Sequence, residues 1–294
     1  MQGSLCLHRG VLWVGRHAKT AQVRAFDLEG HPLTGGFSFR DPRLGRSVAA
    51  GIAVDEDRHL WVADTPSSRV RRFTAFGVEV GGIGLSLDEG VEHAAAEDAP
   101  GLVRVPVDVA VRGSSEELLL VVAAAGERRH AVQVFAADGR LLLSLRPQGD
   151  PQGRFQGVRR IALDGRRLCI AEHAAARVQV FRDGDHLFSF PVAMEGGAAG
   201  RPTALASAGD GRLVVGVGGT RSALLLFDSG GRLVRRLAGP GPGEGEVFEP
   251  DDVAIEPGAD ERRTRVVVLD RDGSRVQLFD LEGRALGVFP ALAG

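Results

Sequence analysis

The stretch Gly51–Phe73, GIAVDEDRHLWVADTPSSRVRRF, decides the fold. Gly51–Val54 is a short apolar run and Asp55–His59 a polar turn; Leu60–Ala63 is a second apolar run and Asp64–Ser68 a second polar turn. Arg69–Phe73 opens a third run, which ends on an aromatic ring. Runs of four or five residues are too short for helices and suit buried strands bounded by turn residues. The stretch therefore predicts three consecutive antiparallel strands.

Outward from this stretch the pattern repeats. An aliphatic residue, two positions and then Phe recurs at Val23–Phe26, Val70–Phe73, Val132–Phe135, Val178–Phe181, Leu224–Phe227 and Val276–Phe279. Five of the six Phe residues lead into a glycine turn (FDLEG, FAADG, FRDG, FDSGG and FDLEG), and Phe73 is followed by TAFG. Glycine there supplies the positive φ of a tight hairpin. Two apolar runs precede each Phe and a weaker one follows each turn. The chain thus reads as six copies of four short strands, at about 49 residues per copy. A four-stranded meander cannot bury both faces alone, so the copies must stack radially as an all-β, six-bladed β-propeller of four-stranded antiparallel blades. The blades are expected at roughly 1–46, 47–104, 105–156, 157–198, 199–248 and 249–294 of a single domain. Blade one comes wholly from the start of the chain and blade six wholly from its end, so no strand is expected to cross the seam.

VADTPSSRVRRF and VLDRDGSRVQLF resemble the NHL repeat, in which an apolar run, Asp and a short turn precede Arg-Val-x-x-Phe. The connector GPGPGEGEVFEPDDVAI resembles the glycine-rich link of the same family. The resemblance implies a six-bladed propeller over essentially the whole chain, serving as a binding platform for protein or RNA. Fold alone does not choose between these.

Composition narrows the field. With 36 basic and 38 acidic residues, the net charge of −2 provides no global attraction to nucleic acid or anionic lipid. Lys19 is the only lysine and Tyr and Asn are absent, which reads as codon bias in a GC-rich, bacterial genome. The longest apolar run, Leu118–Ala125, is far too short to span a bilayer, and MQGSLCLHRGVLWVGRHAK lacks an apolar signal core, so a soluble cytoplasmic chain is expected. Cys6 and Cys169 lie in apolar runs of opposite blades and read as buried free thiols.

The copies differ in an alternating way. Blades two, four and six carry an acid and an arginine five residues apart: Asp64/Arg69, Glu172/Arg177 and Asp270/Arg275. The pair is kept or lost as a unit, as expected of structural clips across a hairpin, because a lone charge at a partly buried position is costly. The odd blades have longer turns with basic residues: His17 and Lys19 in blade one, Arg128, Arg129 and His130 in blade three, and Arg221 in blade five. The face bearing these turns also carries the longest link, Gly81–Arg104, with Asp88, Glu89, Glu92, Glu97 and Asp98 and a helical turn expected over Val91–Ala96. Ser4, Gly51, Asp108, Arg160, Ala204 and Asp252 align just before the innermost strands. There Asp108, Arg160 and Asp252 form either a solvated ring of charges or a polar-ligand site, with Asp108 and Asp252 as weak metal candidates, since calcium wants six to eight oxygens.

No G-x-S-x-G, H-E-x-x-H or paired C-x-x-C occurs, and no cofactor is called for. Gly239–Gly243 superficially resembles a phosphate loop but opens no helix. Six-bladed propellers include calcium lactonases and peptide-amidating lyases, whose resemblance would require Asn or Tyr ligands that this chain lacks. The expectation is a non-catalytic platform for a protein or peptide, bound through Lys19, Arg128, Arg129, His130, Arg160, Arg221, Asp88 and Glu89. A channel-centred lactonase- or lyase-like enzyme and an RNA-binding propeller are the alternatives. No membrane insertion is expected.

Overall fold

Residues 3–16, 20–84, 99–114, 117–194, 196–270 and 274–291 are described in the computed structural model of the chain. They form six blades, each a four-stranded antiparallel meander from the axis outward, and a two-stranded sheet pairs Glu127–Arg128 of the blade-three turn with Phe155–Gln156 of the link that follows. Blade one contains Gly3–His8, Val11–Arg16, Ala21–Phe26 and Pro32–Phe39; blade two contains Ala49–Val54, Leu60–Asp64, Arg69–Phe73 and Glu79–Gly84. The inner strands of blades three to six are Pro106–Arg112, Val158–Asp164, Pro202–Ser207 and Pro250–Glu256. In blade five the outer strand Leu233–Pro240 gains a parallel partner from the following link, Glu246–Val247. The first and last sheets share no strand among the described residues, so the ring is closed by packing and polar contacts.

The recurring Phe explains why the sheets stack. Phe73, Phe135, Phe181, Phe227 and Phe279 are essentially inaccessible, and Phe26 is nearly so. Each ring enters the interface with the preceding blade: Phe73 meets Phe37 and Phe39 of blade one, Phe227 meets Phe190 of blade four, and Phe26 meets Phe289 across the seam. Six apolar clusters result, one per interface, and the seam cluster around Leu5, Leu12, Val267 and Leu269 is built like the others. The turn glycine that follows is required twice over. Gly30 at φ 86° and Gly231 at φ 81° adopt left-handed conformations, and a Cβ on either would collide with Phe289 or Phe190 of the neighbouring blade.

The inner strands of blades two to six each contain a register shift that leaves Ala50, Val107, Arg159, Thr203 and Asp251 unpaired within the sheet. A bulge of this kind bends the strand and frees its backbone groups for other partners. Because the blades converge there, the carbonyls of several bulges are brought together at one axis.

Candidate functional site

The aligned residues of the inner strands lie inside the strands and are buried, not at a solvated channel mouth. Arg160, only 3% exposed, reaches from blade four across the axis. Its Nη1 donates to the carbonyls of Ala50 (2.9 Å) and Val107 (3.3 Å), and its Nη2 to those of Gly3 (2.8 Å) and Asp251 (2.9 Å). Its Nε lies 3.1 Å from Asp252 Oδ1. One side chain thus joins blades one, two, three and six to blade four, and three of its carbonyl acceptors are bulge residues.

The two aspartates are also committed to neighbouring blades. Asp108 Oδ2 accepts the Ile161 N–H of blade four, and Asp252 Oδ2 accepts the Leu5 N–H of blade one, both at 2.8 Å. Ser4 donates to Ala49 O and Thr203 to Pro250 O, which extends the same inter-blade stitching. Gly51 allows Asp108 to approach, since a Cβ there would collide with its carboxylate. Burial pushes the Asp108 carboxyl up to about 7, opposed by Arg160 and reinforced by the charge of Asp252. Asp252 is likewise raised by burial against the pull of Arg160. Neither aspartate belongs to a three-ligand cluster among the described residues; the cluster of that kind is Asp55, Asp57 and His59, on blade two. There Asp55 already accepts Trp61 Nε1 at 3.0 Å and Arg72 Nη2 at 2.8 Å.

The acid–arginine pairs take three forms. Glu172 accepts Arg177 Nε at 2.5 Å and Asp270 accepts Arg275 Nη2 at 2.7 Å. In blade two the partner of Asp64 is Arg71 (3.5 Å), while Arg69 approaches Glu79 (3.9 Å) instead. The reason is strand periodicity: Arg71 follows Arg69 by two residues and shares its face, and the outer strand offers Glu79 to both. All three acids have a further role that hairpin spacing does not predict. Asp64 accepts the Val48 N–H, Glu172 the Gln156 N–H, and Asp270 the Phe248 and Glu249 N–H groups, so each fixes the link entering its own blade. Blade three, which lacks the acid, uses Gln133 to hold Gly101 N and Leu102 O.

In a meander of this order the second-to-third-strand turns and the links between blades emerge on one face. Arg129 and Arg221 are exposed there, and Arg128 and His130 are half-buried. Arg128 donates to Ala125 O, Arg129 to Gln152 O, and His130 contacts Ser144 Oγ, so the blade-three turn is held in shape by its own basic residues. Lys19, His17, Asp88, Glu89 and the helical turn expected at 91–96 lie outside the described residues. The same face exposes Arg40, Arg43 and Arg46 on the link into blade two. Turn length does not single these out; the charge run RDPRLGR is their signal in the sequence.

Cys6 and Cys169 are free, and burial pushes both thiols up to about 12, which leaves them poor nucleophiles. Among the described residues no helix is long and apolar enough to cross a membrane.

Residues 47–73 match the model of the NHL repeat, over the stretch that holds three strands of blade two. No curated protein matches the chain. Among solved structures, the chain is similar to virginiamycin B lyase from Staphylococcus aureus, with 12% identity and a TM-score of 0.61 over 98% of this chain and 84% of that one. It is similar to the WD40 propeller domain of Doa1, with 11% identity and a TM-score of 0.60 over 98% and 81%. It is also similar to the RRP9 WD40 repeats, with 17% identity and a TM-score of 0.61 over 98% and 80%. At these identities the likeness is one of fold. The repeat match and the six blades together support an NHL-repeat propeller.

Proposed function

We propose that the chain is a non-catalytic interaction module that binds a protein or peptide across its loop-bearing face. The observation that carries this reading is how the charges are used. At the axis the polar groups bond to one another and to backbone, whereas on the loop face Arg40, Arg46, Arg146, Arg201 and Arg221 are exposed. Exposed guanidinium groups on a rigid frame suit carboxylate recognition and bidentate pairing. The frame is rigid because buried acids pin the links. An enzyme centred on the channel would need Asp108, Arg160 or Asp252 to release partners that hold the blades together.

The test is affinity capture from the native host's lysate, with mass spectrometry and an absorbance ratio for nucleic acid. The control carries Arg146→Glu, Arg201→Glu and Arg221→Glu. The reading expects a protein captured by the wild type and lost from the control. Capture of nucleic acid instead, diminished by salt, would replace it with the RNA-binding reading. Empty capture by both proteins would remove its support.

A further inference from the structure

We propose that the cavity between the blade-five turn and the 240–250 link receives an arginine or lysine side chain carried by an extended segment of a partner protein. This deepens the loop-face reading and rests on it. The cavity has a volume of about 510 Å³, within the range of pre-formed ligand sites. One side is the turn Gly219–Thr220; the other is formed by Pro240, Pro242, Val247, Phe248 and Glu249.

Its walls are set by backbone. Gly239 and Pro240 pair with Glu246 and Val247, the Gly241 N–H donates to Val247 O at 3.0 Å, and the Ser222 hydroxyl donates to Phe248 O. The Phe248 and Glu249 N–H groups are in turn held by the buried Asp270. A ligand entering this cavity therefore loses little to reorganisation of the protein.

The lining selects the ligand. Proline, valine and Phe248, a residue 54% exposed, offer apolar surface, and the one titratable side chain in the wall is Glu249, whose Oε2 accepts the Gly219 N–H at 3.3 Å. An apolar wall beside a carboxylate matches a long aliphatic stem with a cationic head. The Phe248 ring also suits a guanidinium or ammonium group. An acidic or purely apolar side chain would place like charge, or no partner, against Glu249. The link 240–250 contains Glu244, Glu246 and Glu249 and no basic residue; Glu246 accepts the Gly243 N–H, and Arg275 of blade six donates to the carbonyls of Pro242, Gly243 and Glu246, which leaves Glu249 as the carboxylate of the wall.

This polarity is the reverse of the surface around it. A second groove of about 260 Å³ shares Ser222 and Pro240 with the cavity and presents Arg221 and Arg236. A partner segment with a basic residue in the cavity and acidic residues beyond it would satisfy both, and the charge reversal would fix the direction in which it runs.

The probes are two blocked hexapeptides, identical except that one carries two arginines and the other two glutamates. Each is titrated into the isotope-labelled full chain and followed by amide chemical shifts. The arginine peptide is expected to move the amides of Thr220, Gly241 and Glu249, and to bind about tenfold more weakly to Glu249→Gln. Phe248→Ala, which leaves the carboxylate in place, is expected to weaken it as well, with the melting temperature of the protein retained. Shifts spread evenly over the face, equal binding of the glutamate peptide, or undiminished binding to both variants would overturn the proposal. A lysate partner kept by Phe248→Ala but lost from the arginine-reversal control would sink the cavity subsite alone. A wild type that captures nothing would sink the loop-face reading beneath it.

Discussion

The axis and the loop-bearing face are built from the same residue types and use them in opposite ways. At the axis Arg160, Asp108 and Asp252 are each at most 6% exposed, and their partners are backbone groups, most of them on other blades, and the charges of the cluster itself. On the face, arginines of identical chemistry stand in water on links that other residues hold still. Burial makes the first set structural, because desolvated charge is tolerated only with full pairing. Exposure makes the second set weak in stability and available for recognition. In this propeller the residues at the geometrical centre hold the ring together, and the exposed charges of the face are those on which the proposed function rests.

The largest expected effect is at the axis. Arg160→Met removes four donated hydrogen bonds and strands the carbonyls of Gly3, Ala50 and Asp251 in the interior. A loss of roughly 3–5 kcal/mol is expected in urea unfolding. A smaller loss, about 2–3 kcal/mol, is expected for Glu172→Ala, which frees the Gln156 N–H and leaves Arg177 and Gln179 without their shared acceptor. Amide exchange on the 145–157 link should rise with it; an unchanged link would show that the clip acts only across its hairpin.

The pH dependence sharpens the contrast. The folded-state pKa of Asp108 lies above its unfolded value, so its contribution to stability is complete below the unfolded value and is lost as pH rises through about 7. Asp252 is displaced in the same direction. Stability measured between pH 4 and pH 8 should therefore fall less steeply in Asp108→Asn than in the wild type. Without Arg160 both carboxyls are driven further toward the protonated form, so the penalty of Arg160→Met should shrink on acidification. A penalty independent of pH would mean that the arginine is held by carbonyls alone. The smallest effect is expected on the face, where Arg221→Glu should change stability by less than about 0.5 kcal/mol while reducing partner binding.

The ring of blades was legible because its signal is local and periodic. Each Phe of the Val-x-x-Phe repeat is a buried interface residue, and each following glycine marks a turn pressed against the preceding blade. The pairings of Glu172 with Arg177 and of Asp270 with Arg275 were legible for the same reason, since hairpin partners lie five residues apart. What was hidden depends on distance across the ring. Arg160 and its acceptor at Gly3 are separated by 157 positions, and no spacing rule connects them. The alignment found the positions of Asp108, Arg160 and Asp252, but the inward turn of the bulge carbonyls, which converts a charged mouth into a closed cluster, appears only when the blades converge. The exchange of Arg69 for Arg71 beside Asp64 was hidden because two arginines of one strand face compete, and the choice is made by Glu79 on the outer strand. The cavity beside Phe248 needs the parallel pairing of a link with an outer strand, for which the sequence carries no periodic mark.

The most direct test is urea unfolding of two variants beside the wild type: Arg160→Met, and the chain carrying Arg146→Glu, Arg201→Glu and Arg221→Glu together. The single axial substitution is expected to lower the unfolding free energy by several kcal/mol, and the three face substitutions to leave it within about 1 kcal/mol of wild type. An axial variant as stable as the wild type, with the face variant the weaker of the two, would contradict that expectation: the axis would then be a ligand site and the face part of the frame.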